Sequence, residues 1–227
     1  MHQVFTGSRF MLFWILGSLV AVFLSVVATA FAAIITSILV GMVILTDMLP
    51  PLMTTNVLAM IAFIGIGSIM GLATGSLQVA VIQQKWNVAF TGWRWLSLVG
   101  GVVGVVLTAL IIGVPLREAF LNMQIPSQRI LLTYGVFPFV MPLVCLSLAQ
   151  LPVLMRYVRG AWLWVLANAV AGLVMYTLLM SIISGATLIF WVWIILAMAV
   201  SPAIVTGFAM YFLMQFNQHP MLPGDFQ

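Results

Sequence analysis

Six runs of apolar residues, at 10–45, 57–83, 93–114, 130–154, 161–183 and 187–214, make up most of this 227-residue chain. Each reaches the ~20 residues that a helix needs to cross a hydrocarbon layer of roughly 30 Å. Charge is almost missing between them: seven Lys or Arg and three Asp or Glu amount to 4% of the residues, against 65% hydrophobic. A soluble domain carries about a quarter of its residues charged, so the medium facing most of this surface is lipid. In lipid every backbone N–H and C=O must be satisfied within the chain, which leaves helices or a closed barrel. Uninterrupted apolar runs of this length select helices, and the sequence predicts an all-α fold. One transmembrane domain of six spans covers 1–227, with 215–227 as a polar cytoplasmic tail.

The first run, 10–45, is about 54 Å long at 1.5 Å per residue. Its glycines Gly17 and Gly41 lie near its ends, so no turn divides it, and one long helix protruding from the bilayer is expected. Arg9 ahead of an apolar stretch reaching Ala28, Thr29 and Ala30 has the outline of a secretory signal, but the run continues to about Leu45, so an uncleaved first span is expected. The single cysteine, Cys145, excludes an internal disulfide and a multi-cysteine zinc or iron–sulfur site. The net charge of +4 rests on basic residues too few and too scattered for a nucleic-acid-binding patch.

Those basic residues instead report orientation. With both termini in the cytoplasm, Arg9, Lys85, Arg94, Arg156 and Arg159 fall inside, while Arg117 and Arg129 fall outside beside Asp47 and Glu118, as the positive-inside rule requires. Trp14, Trp86, Trp93, Trp95, Trp162 and Trp164 gather at the same cytoplasmic ends, and Trp191 and Trp193 near the opposite boundary. Indoles favour the membrane–water interface, so Trp14, Trp93, Trp95, Trp162 and Trp164 are expected to be interfacial anchors. The outer segments 46–56 and 115–129 mix apolar and polar residues and are expected to form short interfacial helices that close the bundle, with docking on a partner as the alternative.

The spans also repeat. G-L-A-T-G-S-L-Q-V-A-V-I-Q-Q (71–84) aligns with L-V-C-L-S-L-A-Q-L-P-V-L-M-R (143–156), Gln78 on Gln150. A-I-V-T-G-F-A-M-Y-F-L-M-Q-F (203–216) keeps Thr-Gly but places Met210 where the other copies have glutamine. Odd-numbered spans open with W-I-L-G from Trp14, W-L-S-L-V-G from Trp95 and W-V-L-A-N from Trp164. The chain thus reads as three copies of one helical hairpin. G-x-x-x-G-x-x-Q-x-x-V-I or V-L, a short charged turn and a W-x-W or W-V-L-A start resemble uncharacterised polytopic membrane proteins of cyanobacteria and Chloroflexi-type bacteria. The resemblance spans about 60–175, is strongest at Gly71, Gly75, Gln78, Gln150, Trp162, Trp164 and Gly172, and weakens in the third copy. It implies helical hairpins in a bacterial inner membrane and nothing catalytic.

Within the spans, Gly67, Gly71 and Gly75 recur every fourth residue, Gly100 and Gly104 repeat the device, and Ala167 and Ala171 follow it. Such ridges let helices approach closely, or form grooves for a carotenoid, a chlorophyll tail or a lipid. Gln78, Gln150 and Asn168 are the strongest intramembrane polar groups; each must find a hydrogen-bonding partner, in a neighbouring helix or in a polar substrate headgroup. Pro138, Pro142, Pro152 and Pro202 are expected to kink their helices. Catalysis is not expected: Asp47, Glu118 and Asp225 lie in loops or tail, and His2 and His219, near the termini, form no catalytic or metal set.

Together these features predict a non-catalytic accessory subunit of a photosynthetic or respiratory membrane complex, packed against membrane lipids and other integral-membrane subunits, with no nucleic acid. No cofactor is evident beyond a pigment or lipid in the helix grooves. A transporter or channel for an uncharged or lipid-like solute is the alternative, built on the proline-kinked fourth and sixth spans.

Overall fold

A computed structural model describes residues 7–46, 51–86, 90–121, 136–183 and 188–217. Among the described residues six helices follow one another: α1 (Gly7–Thr46), α2 (Pro51–Trp86), α3 (Trp93–Leu121), α4 (Phe137–Leu154), α5 (Trp162–Ile183) and α6 (Leu188–Phe216). No strand occurs among the described residues. α1, α2, α3 and α4 hold stretches long and apolar enough to cross a bilayer, at Gly7–Leu24, Met60–Gln84, Trp93–Ile112 and Phe137–Leu154. The described parts of α5 and α6 add shorter apolar stretches, Trp162–Leu178 and Val200–Phe216. The protein is an all-α membrane protein.

α1 is a single helix of 40 residues. Helix also extends into both outer segments, beginning at Pro51 and ending at Leu121, so part of each expected interfacial element belongs to a long helix instead. Pro51 suits the first helical turn because its missing N–H has no partner there in any case. The expected start of the fourth span at 130 lies outside the described residues. The described helix starts at Phe137, with Pro138 in its first turn, so Pro138 opens a helix rather than kinking one. Pro142, Pro152 and Pro202 lie inside their helices.

The helices are apolar nearly all round, so burial is sorted by polarity in the sense opposite to a soluble protein. Leu163, Leu166, Val170 and Leu173 face outward on α5, and Phe208 and Phe212 on α6. Gln78, Ser97, Ser147, Gln150, Asn168 and Thr206 are buried. Each helix packs against its chain neighbours, and α1 closes on α6, so the three hairpins form a ring. The start of α1, the α2–α3 turn, the α4–α5 turn and the end of α6 share one end of this ring. Phe10, Trp14, Ile82, Phe90, Trp93, Leu154, Trp164, Met210 and Leu213 fill that end as a core. Gly92 and Gly160 supply the two turns with positive φ, 87° and 79°, which side chains with a Cβ rarely adopt.

The small-residue ridges are helix contacts. A Cβ on Gly71 would strike the Ser97 carbonyl of α3, one on Gly75 would strike the Ser97 side chain, and one on Gly67 would come within 2.7 Å of the Gly101 carbonyl. Gly100 and Gly104 face α4 in the same way, 2.7 Å from Leu146 Cα and 2.6 Å from Pro142 Cα. Gly172 of α5 meets Phe139 and Val140 of α4. Neighbouring helices therefore fill the grooves at these glycines, with backbone at all of them except Gly75, where the Ser97 side chain does so.

Candidate functional site

Three indoles organise the filled end of the ring. Trp93 Nε1 on α3 donates to Gln78 Oε1 on α2 at 3.3 Å. Trp164 Nε1 on α5 donates to Gln150 Oε1 on α4 at 2.9 Å. Trp14 Nε1 on α1 donates to Thr206 Oγ1 on α6 at 3.2 Å. Each odd helix thus donates to the even helix before it, and the third bond closes the ring from α1 back to α6. A buried indole N–H needs an acceptor, and each copy supplies one.

These bonds divide the expected interfacial belt. Trp95 and Trp162 are 71% and 57% exposed, as anchors would be, while Trp14, Trp93 and Trp164 are at most 2% exposed and belong to the core. They also shift the repeat. The counterpart of Trp14 and Trp164 is Trp93, not Trp95, and the copies then read W-I-L-G-S, W-R-W-L-S and W-V-L-A-N. A small polar residue, Ser18, Ser97 or Asn168, follows each of these tryptophans by one turn.

The two glutamines meet across the ring. Gln150 Nε2 donates to Gln78 Oε1 at 2.8 Å and to Ser97 Oγ at 2.7 Å, and Ser97 Oγ donates to the Trp93 carbonyl at 2.7 Å. Gln150 is 0% exposed, and both ends of its amide are engaged. Gln78 Oε1 accepts from two donors, which fixes the orientation of that amide and turns Nε2 away from them. Asn168 Nδ2 donates to the Trp164 carbonyl at 2.8 Å, which likewise fixes Oδ1.

Deeper in the bundle this polar girdle becomes the floor of a central cavity of about 260 Å³, walled by α1, α2, α4, α5 and α6. Equivalent positions of the three copies line it: Met70, Pro142 and Pro202, and one turn nearer the floor Thr74, Leu146 and Thr206. Pro142 has no N–H, so the Pro138 carbonyl on the same wall lacks its helical donor. Among the described residues no titratable side chain lines the cavity.

Four polar atoms on cavity-lining residues have no hydrogen-bond partner among the described residues: Ser18 Oγ, Thr74 Oγ1, Gln78 Nε2 and Asn168 Oδ1. None of them is sealed from solvent-sized space, because the one buried and unpartnered side-chain atom found among the described residues is Ser201 Oγ. The two hydroxyls depart from habit. Ser68, Ser97, Thr108, Thr177 and Thr206 all donate to the carbonyl one turn back, whereas Ser18 and Thr74 do not. A second space of about 10 Å³ touches Ser18, Thr74 and Gln78 between α1 and α2, close to the size of one water.

The expected intramembrane polar residues Gln78, Gln150 and Asn168 therefore sit together, the first and last on the cavity and Gln150 beneath it. Three residues escape a reading based on polar strength. Ser97 and Thr206 become visible only through the repeat. Asn217 clamps the α4–α5 turn to the end of α6, accepting from Arg159 N at 2.9 Å and donating to Arg159 O at 3.3 Å. Arg9, Arg94, Arg156 and Arg159 are exposed at the same end. The side chains of Lys85, Arg117 and Glu118, and all of Asp47, Arg129, His2, His219 and Asp225, lie outside the described residues. Compared with models of known protein families, with curated proteins and with solved structures, the chain matches none.

Proposed function

We propose that the protein is a non-catalytic membrane carrier that takes an uncharged, lipid-like solute into the centre of its helical ring. The observation that carries this reading is the central cavity of about 260 Å³, walled by apolar side chains and floored by uncharged polar ones. A charged solute would lose its hydration there without a counter-ion. Helices interrupted by proline are a recurring device of carriers, and Pro142 and Pro202 stand at equivalent points of the cavity wall. The clustering of Arg9, Arg94, Arg156 and Arg159 supports cytoplasmic termini, and the resemblance supports a bacterial inner membrane. The alternative, an accessory subunit of a photosynthetic or respiratory complex, is disfavoured because neighbouring helices occupy the glycine grooves that would have seated a pigment or partner.

The test is native mass spectrometry of the protein taken from its own membrane into nanodiscs. The carrier reading expects an uncharged amphiphile retained by the wild type and lost from Ala203→Phe, since Ala203 is 1% exposed and lies on the cavity wall. Retention of the same molecule by Ala203→Phe would contradict it. Stoichiometric recovery with a pigment or redox complex, unchanged by that substitution, would favour the accessory-subunit reading instead.

A further inference from the structure

We infer that the cavity floor selects the headgroup of its solute: an uncharged group that both donates and accepts hydrogen bonds, of the diol or primary-amide class. This rests on the carrier reading and specifies what the carrier recognises. The floor offers one obligate donor, Gln78 Nε2, and one obligate acceptor, Asn168 Oδ1, each fixed in identity by the bonds its amide already makes. Ser18 and Thr74 add hydroxyls that serve either way. Asn168 is 2% exposed and Gln78 9%, and both residues line the cavity. An ether or ester alone accepts and leaves Asn168 Oδ1 unpaired; an ammonium donates, but its charge has no counter-ion among the described residues of the wall.

Size narrows the class. A cavity of ~150 Å³ takes up benzene, so about 260 Å³ accommodates on the order of ten non-hydrogen atoms at that density. That is a small headgroup with the first part of an alkyl chain. The chain lies against the apolar wall that begins one turn above the floor, at Met70, Pro142 and Pro202. Water occupying the floor would be displaced by hydroxyls that reproduce its hydrogen bonds.

The experiment compares decane-1,2-diol, 1,2-dimethoxydecane and decane as ligands of the protein in nanodiscs, by titration calorimetry. The diol and the diether share a skeleton, but only the diol donates. The diol is expected to bind about tenfold more tightly than the diether. In Asn168→Leu, and independently in Thr74→Val, that preference is expected to shrink while the affinity for decane is kept, an outcome that general destabilisation would not produce. Equal binding of diol and diether to the wild type would overturn the headgroup inference and leave the carrier reading standing. Failure of all three ligands to bind saturably would overturn both.

Discussion

A methyl group placed on Gly71 would run into the Ser97 carbonyl of α3, whereas one placed on Gly65 of the same helix would meet nothing within 4 Å. Gly71→Ala is therefore expected to cost ~1–3 kcal/mol of stability through overpacking, and Gly65→Ala to stay within ~0.5 kcal/mol of the wild type. Equilibrium unfolding in mixed micelles checks the pair, and equal effects would mean that α2 and α3 do not meet at this ridge. Gln150 makes hydrogen bonds to Gln78, Ser97 and Trp164, and at ~0.6 kcal/mol for each such bond within a membrane Gln150→Leu is expected to cost about 2 kcal/mol. Gln83→Leu, at a half-buried position near the α2–α3 turn, is the comparison and should be near neutral. At this scale the sequence is informative about need but not about pairing. An amide in hydrocarbon must have a partner, and spaced glycines must meet something close. Which amide meets which depends on how the ring closes.

The helices were legible because their signal is composition sustained over long runs, and lipid demands satisfied backbone. Their ends were less legible, since the rule that places a span end at the first polar residue stops short of helices that continue past the apolar run, as α2 and α3 do. The pattern W-L-S-L-V-G opens the third span at Trp95, whereas the bond to Gln78 selects Trp93. Two residues of register decide between a side chain in lipid and one in the core. The third copy shows how a repeat can lose a residue and keep its interaction: Met210 replaces the glutamine, and Thr206, one turn away, accepts from Trp14 instead. Thr206→Val would strand that indole N–H, with an expected cost of ~1–3 kcal/mol. Thr108→Val, which removes only a bond to the helix's own Gly104 carbonyl, should cost less. Thermal unfolding of the two variants decides this, and a reversed order would remove Thr206 from the girdle.

For the whole molecule, helix parity places the start of α1 and the α2–α3 turn at the same end. In a background where Cys145 is replaced by alanine, Ser8→Cys and Thr91→Cys, both at exposed positions, are expected to react with a membrane-impermeant maleimide from the same side only. Labelling of the two from opposite sides would break the hairpin topology. The cavity was the least legible feature, because it belongs to no segment: five helices contribute its wall, and only ring closure brings Ser18 of α1 and Thr206 of α6 to the same space. The central claim is that this space holds an uncharged solute. It is tested most directly by the thermal shift that decane-1,2-diol produces in nanodiscs, measured in parallel on the wild type and on Ala203→Phe. A ligand of the native state raises Tm with its concentration, so the wild type should rise progressively while Ala203→Phe, its cavity filled, stays flat. Parallel shifts in the two proteins, or none in either, would contradict the account.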